Sequence, residues 1–179
     1  MSSFLILHGW QGSGPEHWQT WLAGRLLSRG ERVSYPELPD PDTPRLERWL
    51  GALEPELRDP GELVVLCHSM ACILWLHHAR RAEAPVERVL LVAPPSPSAD
   101  TPGVEGFFPL SIEGEDVARA AASTRIVHSD NDPYCPEGAD ALYAEPLALP
   151  ACLVPGGGHL NTDAGYGPWP EVERWCLGG

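Results

Sequence analysis

The chain has 179 residues, 43% of them hydrophobic and 21% charged, a length and balance that suit one globular domain with a proper core and exclude wholesale disorder. Its net charge is −13 and all twelve basic residues are arginine, so the basic footprint that nucleic acid requires is missing. No apolar run reaches the length of a membrane span, the start lacks the basic n-region of a secretory leader, and five cysteines at irregular spacing give no disulfide framework; a cytoplasmic protein with reduced thiols is the expectation.

In chain order, short β-type runs alternate with amphipathic segments. Phe4 to His8 reads as a buried strand that ends in the glycine-rich turn "GWQGSGPEHW". Glu16 to Ser28 follows as a helix, with Trp18, Trp21, Leu22 and Leu26 near helical spacing. "RVSYPEL" is a weaker strand stopped by prolines, and Thr43 to Leu57 reads as a helix with Pro44 in its first turn. Leu63 to Cys67 is an apolar strand and Met70 to Arg81 a helix. "VERVLLVAP", Arg125 to His128 and Ala151 to Val154 supply further strands, Pro136 to Tyr143 a helical stretch, and Trp169 to Cys176 a closing helix. Residues 94–115 carry five prolines and no regular pattern; a connection that long is more often functional than idle. Strands alternating with helices predict an α/β fold over residues 1–179, a mostly parallel central sheet covered by helices on both faces.

Ser69 lies where the apolar strand gives way to a helix, the junction that a nucleophile elbow requires. Such a turn lifts a hydroxyl out at the carboxyl end of the sheet, where ligands of open α/β sheets bind. Glycines normally stand two residues to either side, because neighbouring backbone passes close by; here they are replaced by the small residues Cys67 and Ala71. A serine that merely caps the helix is the alternative for this stretch alone. Asp132 in "HSDNDPYCP" and His159 in "VPGGGHLN" each follow a predicted strand, and serine, acid, histidine is the chain order of α/β-hydrolases. "LHGW", at the end of the first strand, stands where a second oxyanion-hole N–H originates.

"LHGWQGSGPEHWQTWL", "HSMAC", "SDNDPYCP" and "GGGHLNTDAGYGPWP" together resemble the small serine hydrolases of the YdeN family. That compact branch of the α/β-hydrolase superfamily also includes the vertebrate retinoblastoma-binding serine hydrolase. The similarity spans the whole chain, with the C-terminal string its most specific part. Family members usually have glycine where this chain has Ala71, and often alanine or glycine where it has Cys67. The resemblance implies a minimal α/β-hydrolase fold with little or no cap, a triad of Ser69, Asp132 and His159, and hydrolase activity.

In that arrangement His159 takes the proton of Ser69 as it attacks an acyl carbonyl, Asp132 orients the imidazole, and the backbone N–H groups of Trp10 and Met70 face the developing oxyanion. Asp130 is the competing acid; the "DP" pair favours Asp132. His8 and His17 read as local hydrogen-bonders beside the oxyanion turn, and His68 as a side chain directed away into the strand–helix packing. Trp10 and Gln11 are the expected pocket wall. Phe107 and Phe108, in the long irregular connection, either cover the serine as a small lid or pack on the sheet edge. The sequence offers no ligand set at zinc spacing, and "PGGGH" lacks the lysine of a phosphate loop, so neither metal nor cofactor is expected. The reading is a soluble serine hydrolase, carboxylesterase-like, acting on a small-molecule acyl substrate, with short acyl chains preferred. Thioesterase, amidase and acyltransferase chemistry use the same constellation. The rival is a non-catalytic binding protein on a hydrolase scaffold, for which Cys67 and Ala71 are the only support; protein partners are unknown.

Overall fold

A computed structural model describes residues 2–58 and 62–178. Six strands, β1 (Ser3–Leu7), β2 (Arg32–Ser34), β3 (Leu63–His68), β4 (Val86–Val92), β5 (Ala121–Ser129) and β6 (Ala151–Val154), form one sheet in the order β2-β1-β3-β4-β5-β6. Every neighbouring pair is parallel, as the expected parallel sheet requires. Parallel strands need crossovers, and helices α1 (Trp18–Ser28), α2 (Leu46–Leu53), α3 (Met70–Ala79), α4 (Gly114–Ala120) and α5 (Pro170–Cys176) supply cover for both faces.

The period-two alternation of the strands divides the core. Phe4, Ile6, Val64, Leu66, Leu90 and Val92 pack with Trp18, Leu22 and Leu26 of α1 and Val172 of α5. Leu5, Leu7, Val65, Cys67, Val89 and Leu91 face the other way, onto α2, α3 and α4. Helix α3 is apolar around most of its circumference, and its run from Met70 to Leu76 is buried without interruption. A helix of that composition fits only where both sides are covered.

Three expectations need correction. The helix expected from Thr43 is confined to Leu46–Leu53, because Arg45 is extended (φ −129°, ψ 122°), and Pro55 lies in the tighter turn Glu54–Leu57 that follows. The stretch from Pro136 to Tyr143 is mostly turns, with one wide helical turn over Asp140–Ala144. Helix α4 was not expected, and β5 begins at Ala121, directly at its end. The sequence "ARAAAST" favours helix locally, but pairing of Ala121 with Val86 and of Ser123 with Arg88 draws it into the sheet.

Candidate active site

Ser69 follows β3 and opens α3 with φ 57° and ψ −125°, a conformation L-residues rarely adopt. The surroundings over-determine it. The Ser69 N–H donates to Val92 O at 2.9 Å, and Cys72 N–H donates to Ser69 O at 2.8 Å. The Cys72 thiol lies 3.3 Å from the same Val92 carbonyl. Cys67 and Ala71 are fully buried, so the elbow closes with a thiol and a methyl in the places where glycines are usual. Burial pushes both the Cys67 and the Cys72 thiols up, which keeps them neutral packing groups.

The strand order reverses between β1 and β3: β2 lies on one side of β1, and β3 to β6 follow on the other. In parallel sheets that switch point opens the ligand crevice. Here it brings Gly9 so close that a Cβ at that position would lie 2.7 Å from Ser69 Cβ and 3.2 Å from its Oγ. The turn after β1 is clamped from several directions. His8 Nε2 accepts from Leu38 N–H at 2.8 Å, which places the ring proton on Nδ1, and that group donates to Gly9 O at 2.8 Å. Burial lowers the His8 pKa and keeps it neutral, in this tautomer. Gln19, wholly buried, donates to Leu7 O at 2.9 Å and accepts from Ser13 Oγ at 2.7 Å. Gln11 N–H donates to Pro41 O at 2.9 Å and the Trp10 indole to Asp42 O at 3.0 Å. Among the described residues the Trp10 N–H meets no backbone carbonyl, and Met70 is the first residue of α3, where N–H groups lack an intrahelical acceptor.

Asp132 and His159 reach Ser69 from the far strands. His159 Nε2 lies 2.9 Å from Ser69 Oγ, and Nδ1 lies 2.9 Å from both carboxylate oxygens of Asp132. All three side chains are buried. Asp132 Oδ1 also accepts from Tyr134 N–H at 2.9 Å, while the Tyr134 ring packs 4.4 Å from the His159 imidazole. Asp130 is otherwise engaged: its Oδ1 accepts from Gly156 N–H at 2.7 Å, and Asn131 Oδ1 accepts from Gly158 N–H at the same distance. Ser129 donates to Gly158 O, and the Trp18 indole donates to Leu160 O at 3.0 Å. Four side chains thus carry the glycine loop back across the sheet to the serine.

Above Ser69 lies a cavity of about 190 Å³, walled in part by Trp10, Gln11, His17, Tyr134 and Asn161. His68 packs between β3 and α1, its ring edge-on to Trp18 at 6.0 Å, and it also borders this cavity, its Nε2 donating to His159 O at 3.0 Å. Strand parity carried that signal, since Val64, Leu66 and His68 share the face against α1. The His17 ring stands 4.8 Å from His68, which stands 5.0 Å from His159. Burial, and then the nearby His159, lower the His17 pKa to about 4; burial, with His159 and His17 beside it, holds that of His68 well below the ordinary value. Phe107 and Phe108 are not brought to the serine. Phe107 is 1% exposed and packs edge-on against Trp49, its carbonyl held by His77 Nε2 at 2.8 Å. Phe108 lines a separate apolar cavity with Leu110, Ile112 and Leu142. Of the two roles expected for this pair, the structure places them in packing. Tyr134, Asn131 and Gln19 lie within the strings that carry the family resemblance, but no chemistry of their own marks them there, and sequence reading gave them no role.

The model of the serine hydrolase family matches residues 4–176. YdeN of Bacillus subtilis is 28% identical over 174 residues, covering 93% of this chain and 90% of YdeN. The crystal structure of the ydeN gene product superposes with a TM-score of 0.88 at 25% identity, covering 99% of this chain and 98% of that one. A YdeN-like protein from Pectobacterium atrosepticum gives 0.76 at 23% identity, over 98% and 88% of the two chains. Est1E of Butyrivibrio proteoclasticus, solved with ferulic acid bound, gives 0.69 at 14% identity, over 99% and 88%. The fold is that of the α/β-hydrolases.

Proposed function

This chain belongs to the serine hydrolase family, and from that premise we propose that it hydrolyses small esters through an acyl-enzyme on Ser69, with His159 as general base and acid and Asp132 as its orienting partner. The observation that carries the reading is the single imidazole that bridges Ser69 Oγ and the Asp132 carboxylate at 2.9 Å on each side. With Nδ1–H donated to the carboxylate, the Nε2 lone pair faces the serine hydroxyl, the tautomer a general base needs.

Attack joins Ser69 Oγ to the acyl carbon while its proton passes to His159 Nε2. The carbonyl oxygen, now an oxyanion, is received by the N–H groups of Trp10 and Met70. Collapse breaks the bond to the leaving alcohol, which departs with that proton. Water then gives a proton to His159 and its oxygen to the acyl carbon, and Ser69 leaves with the proton returned. Carboxylesterase is the class this chemistry supports best, and a cavity of about 190 Å³, below the ordinary range for ligand sites, favours short acyl groups. Rates with 4-nitrophenyl butyrate and octanoate test this. The butyrate is expected to turn over at least about tenfold faster, and only with Ser69 intact; a faster octanoate, or equal turnover by Ser69→Ala, would contradict it.

A further inference from the structure

The His17 ring lines the cavity over Ser69, yet no step of the reaction above uses it. Its Nδ1 is committed: it accepts from Gln19 N–H at 3.2 Å and so caps α1. The ring proton therefore sits on Nε2, which makes no hydrogen bond to any described residue. Burial beside His68 and His159 keeps the ring uncharged at neutral pH. The cavity is thus given one fixed N–H donor, and a ligand atom that meets it must be an acceptor.

Position decides which part of a substrate that atom belongs to. The proton that leaves with the alcohol comes from His159 Nε2, so the alcohol lies on the His159 side of the serine. His17 is on that side, linked to His159 through the His68 ring, which meets His17 edge-on at 4.8 Å and lies tilted 5.0 Å from His159. So are Asn161, Thr162 and Asp163, which follow His159 by two to four residues and wall the same cavity. Those side chains offer hydrogen bonds rather than apolar surface. No arginine lines the cavity and the chain has no lysine, so a phosphorylated or carboxylated alcohol would find no cation, only Asp163.

We infer that His17 is a specificity-determining residue whose Nε2–H, with Asn161 and Thr162, selects esters of neutral polyhydroxy alcohols over esters of plain alkanols. The inference rests on the ester-hydrolase reading above and adds the class of the leaving group. A hydroxyl of the alcohol accepts from His17 and can donate onward to Asn161, Thr162 or Asp163, which an alkanol of the same length cannot do.

The test is a pair of esters with one acyl group, 2,3-dihydroxypropyl butyrate and propyl butyrate, followed by titration of the butyric acid released. Wild type is expected to favour the dihydroxypropyl ester by at least about tenfold in kcat/KM, the equivalent of one well-made hydrogen bond. His17→Asn keeps an N-cap for α1 but is too short to carry the donor to the Nε2 position. It is expected to lower the ratio of the two values by about tenfold, and because both esters report on the same folded molecules, partial misfolding cannot alter that ratio. An unchanged ratio in the variant, or equal rates in the wild type, would overturn the inference and leave the hydrolase reading standing. Phosphonylation of Ser69 without cleavage of the dihydroxypropyl ester would overturn the inference alone. No cleavage of either ester and no phosphonylation would overturn both.

Discussion

A Cβ added at Gly9 would lie 2.7 Å from Ser69 Cβ and 3.0 Å from His68 O, inside the distance at which carbon atoms repel. Neither neighbour can give way: Ser69 is pinned through its own N–H to Val92, and His68 by its bond to His159 O. Gly9→Ala is therefore expected to displace the nucleophile or the Trp10 amide by a fraction of an ångström to an ångström. Displacements of that size cost about a hundredfold in rate. Esterase assays on protein with wild-type far-UV circular dichroism would check this, and activity within about threefold of wild type would contradict it. The same scale explains why Cys67 and Ala71 are accepted at the elbow: the approach that demands a glycine comes from the turn after β1, at Gly9, and not from the two positions flanking the serine.

Among the elements, α5 depends on a side chain from the sheet. Arg88 of β4 donates to Trp175 O at 2.8 Å and Cys176 O at 2.9 Å, and its guanidinium lies 4.9 Å from the centre of the Trp175 ring. These carbonyls end α5, where few N–H groups remain to meet them; besides Arg88, Trp175 O accepts from Gly178 N–H at 3.3 Å. Arg88→Met is expected to cost about 2 kcal/mol, the range for charge-assisted bonds to backbone, read as a lower urea midpoint at unchanged slope; an unchanged midpoint would contradict it. Arg88 also marks what sequence can and cannot disclose. Strands β1, β3 and β4 were legible because their apolar runs end in turn residues, and Ser69, Asp132 and His159 stood out because each lies just past a strand end, of β3, β5 and β6. Helix α4 and the start of β5 were not, since alanines from Ala120 to Ala122 carry no β signal and join the sheet only through pairing with β4. Phe107 was ambiguous because an aromatic in an irregular connection looks the same whether it covers a site or fills a core. Asn131 and Ser129 were read past, and Asp130 was weighed only as an acid, because the partners of all three are backbone atoms in a distant segment.

Across the whole molecule, three histidines, His8, His17 and His68, are buried and held neutral. Unfolded, each takes up a proton near pH 6.5, whereas folded His17 does so only near 4. Between those values the unfolded chain binds more protons, so stability falls as pH falls. For His17 alone the loss reaches about 3 kcal/mol at 1.36 kcal/mol per unit. Urea midpoints at pH 7 and 4.5 are expected to differ more for wild type than for His17→Asn, and equal differences would contradict this. Among the described residues no helix is long and apolar enough to cross a membrane. The strand-end convergence that builds the fold also leaves an activated Ser69 open to direct measurement. Wild-type protein, Ser69→Ala and His159→Ala would each be incubated with a fluorophosphonate and weighed intact. One adduct on wild type, absent from both variants, is the expected result. A folded wild type that gains no adduct, or an adduct that persists in Ser69→Ala, would contradict the account.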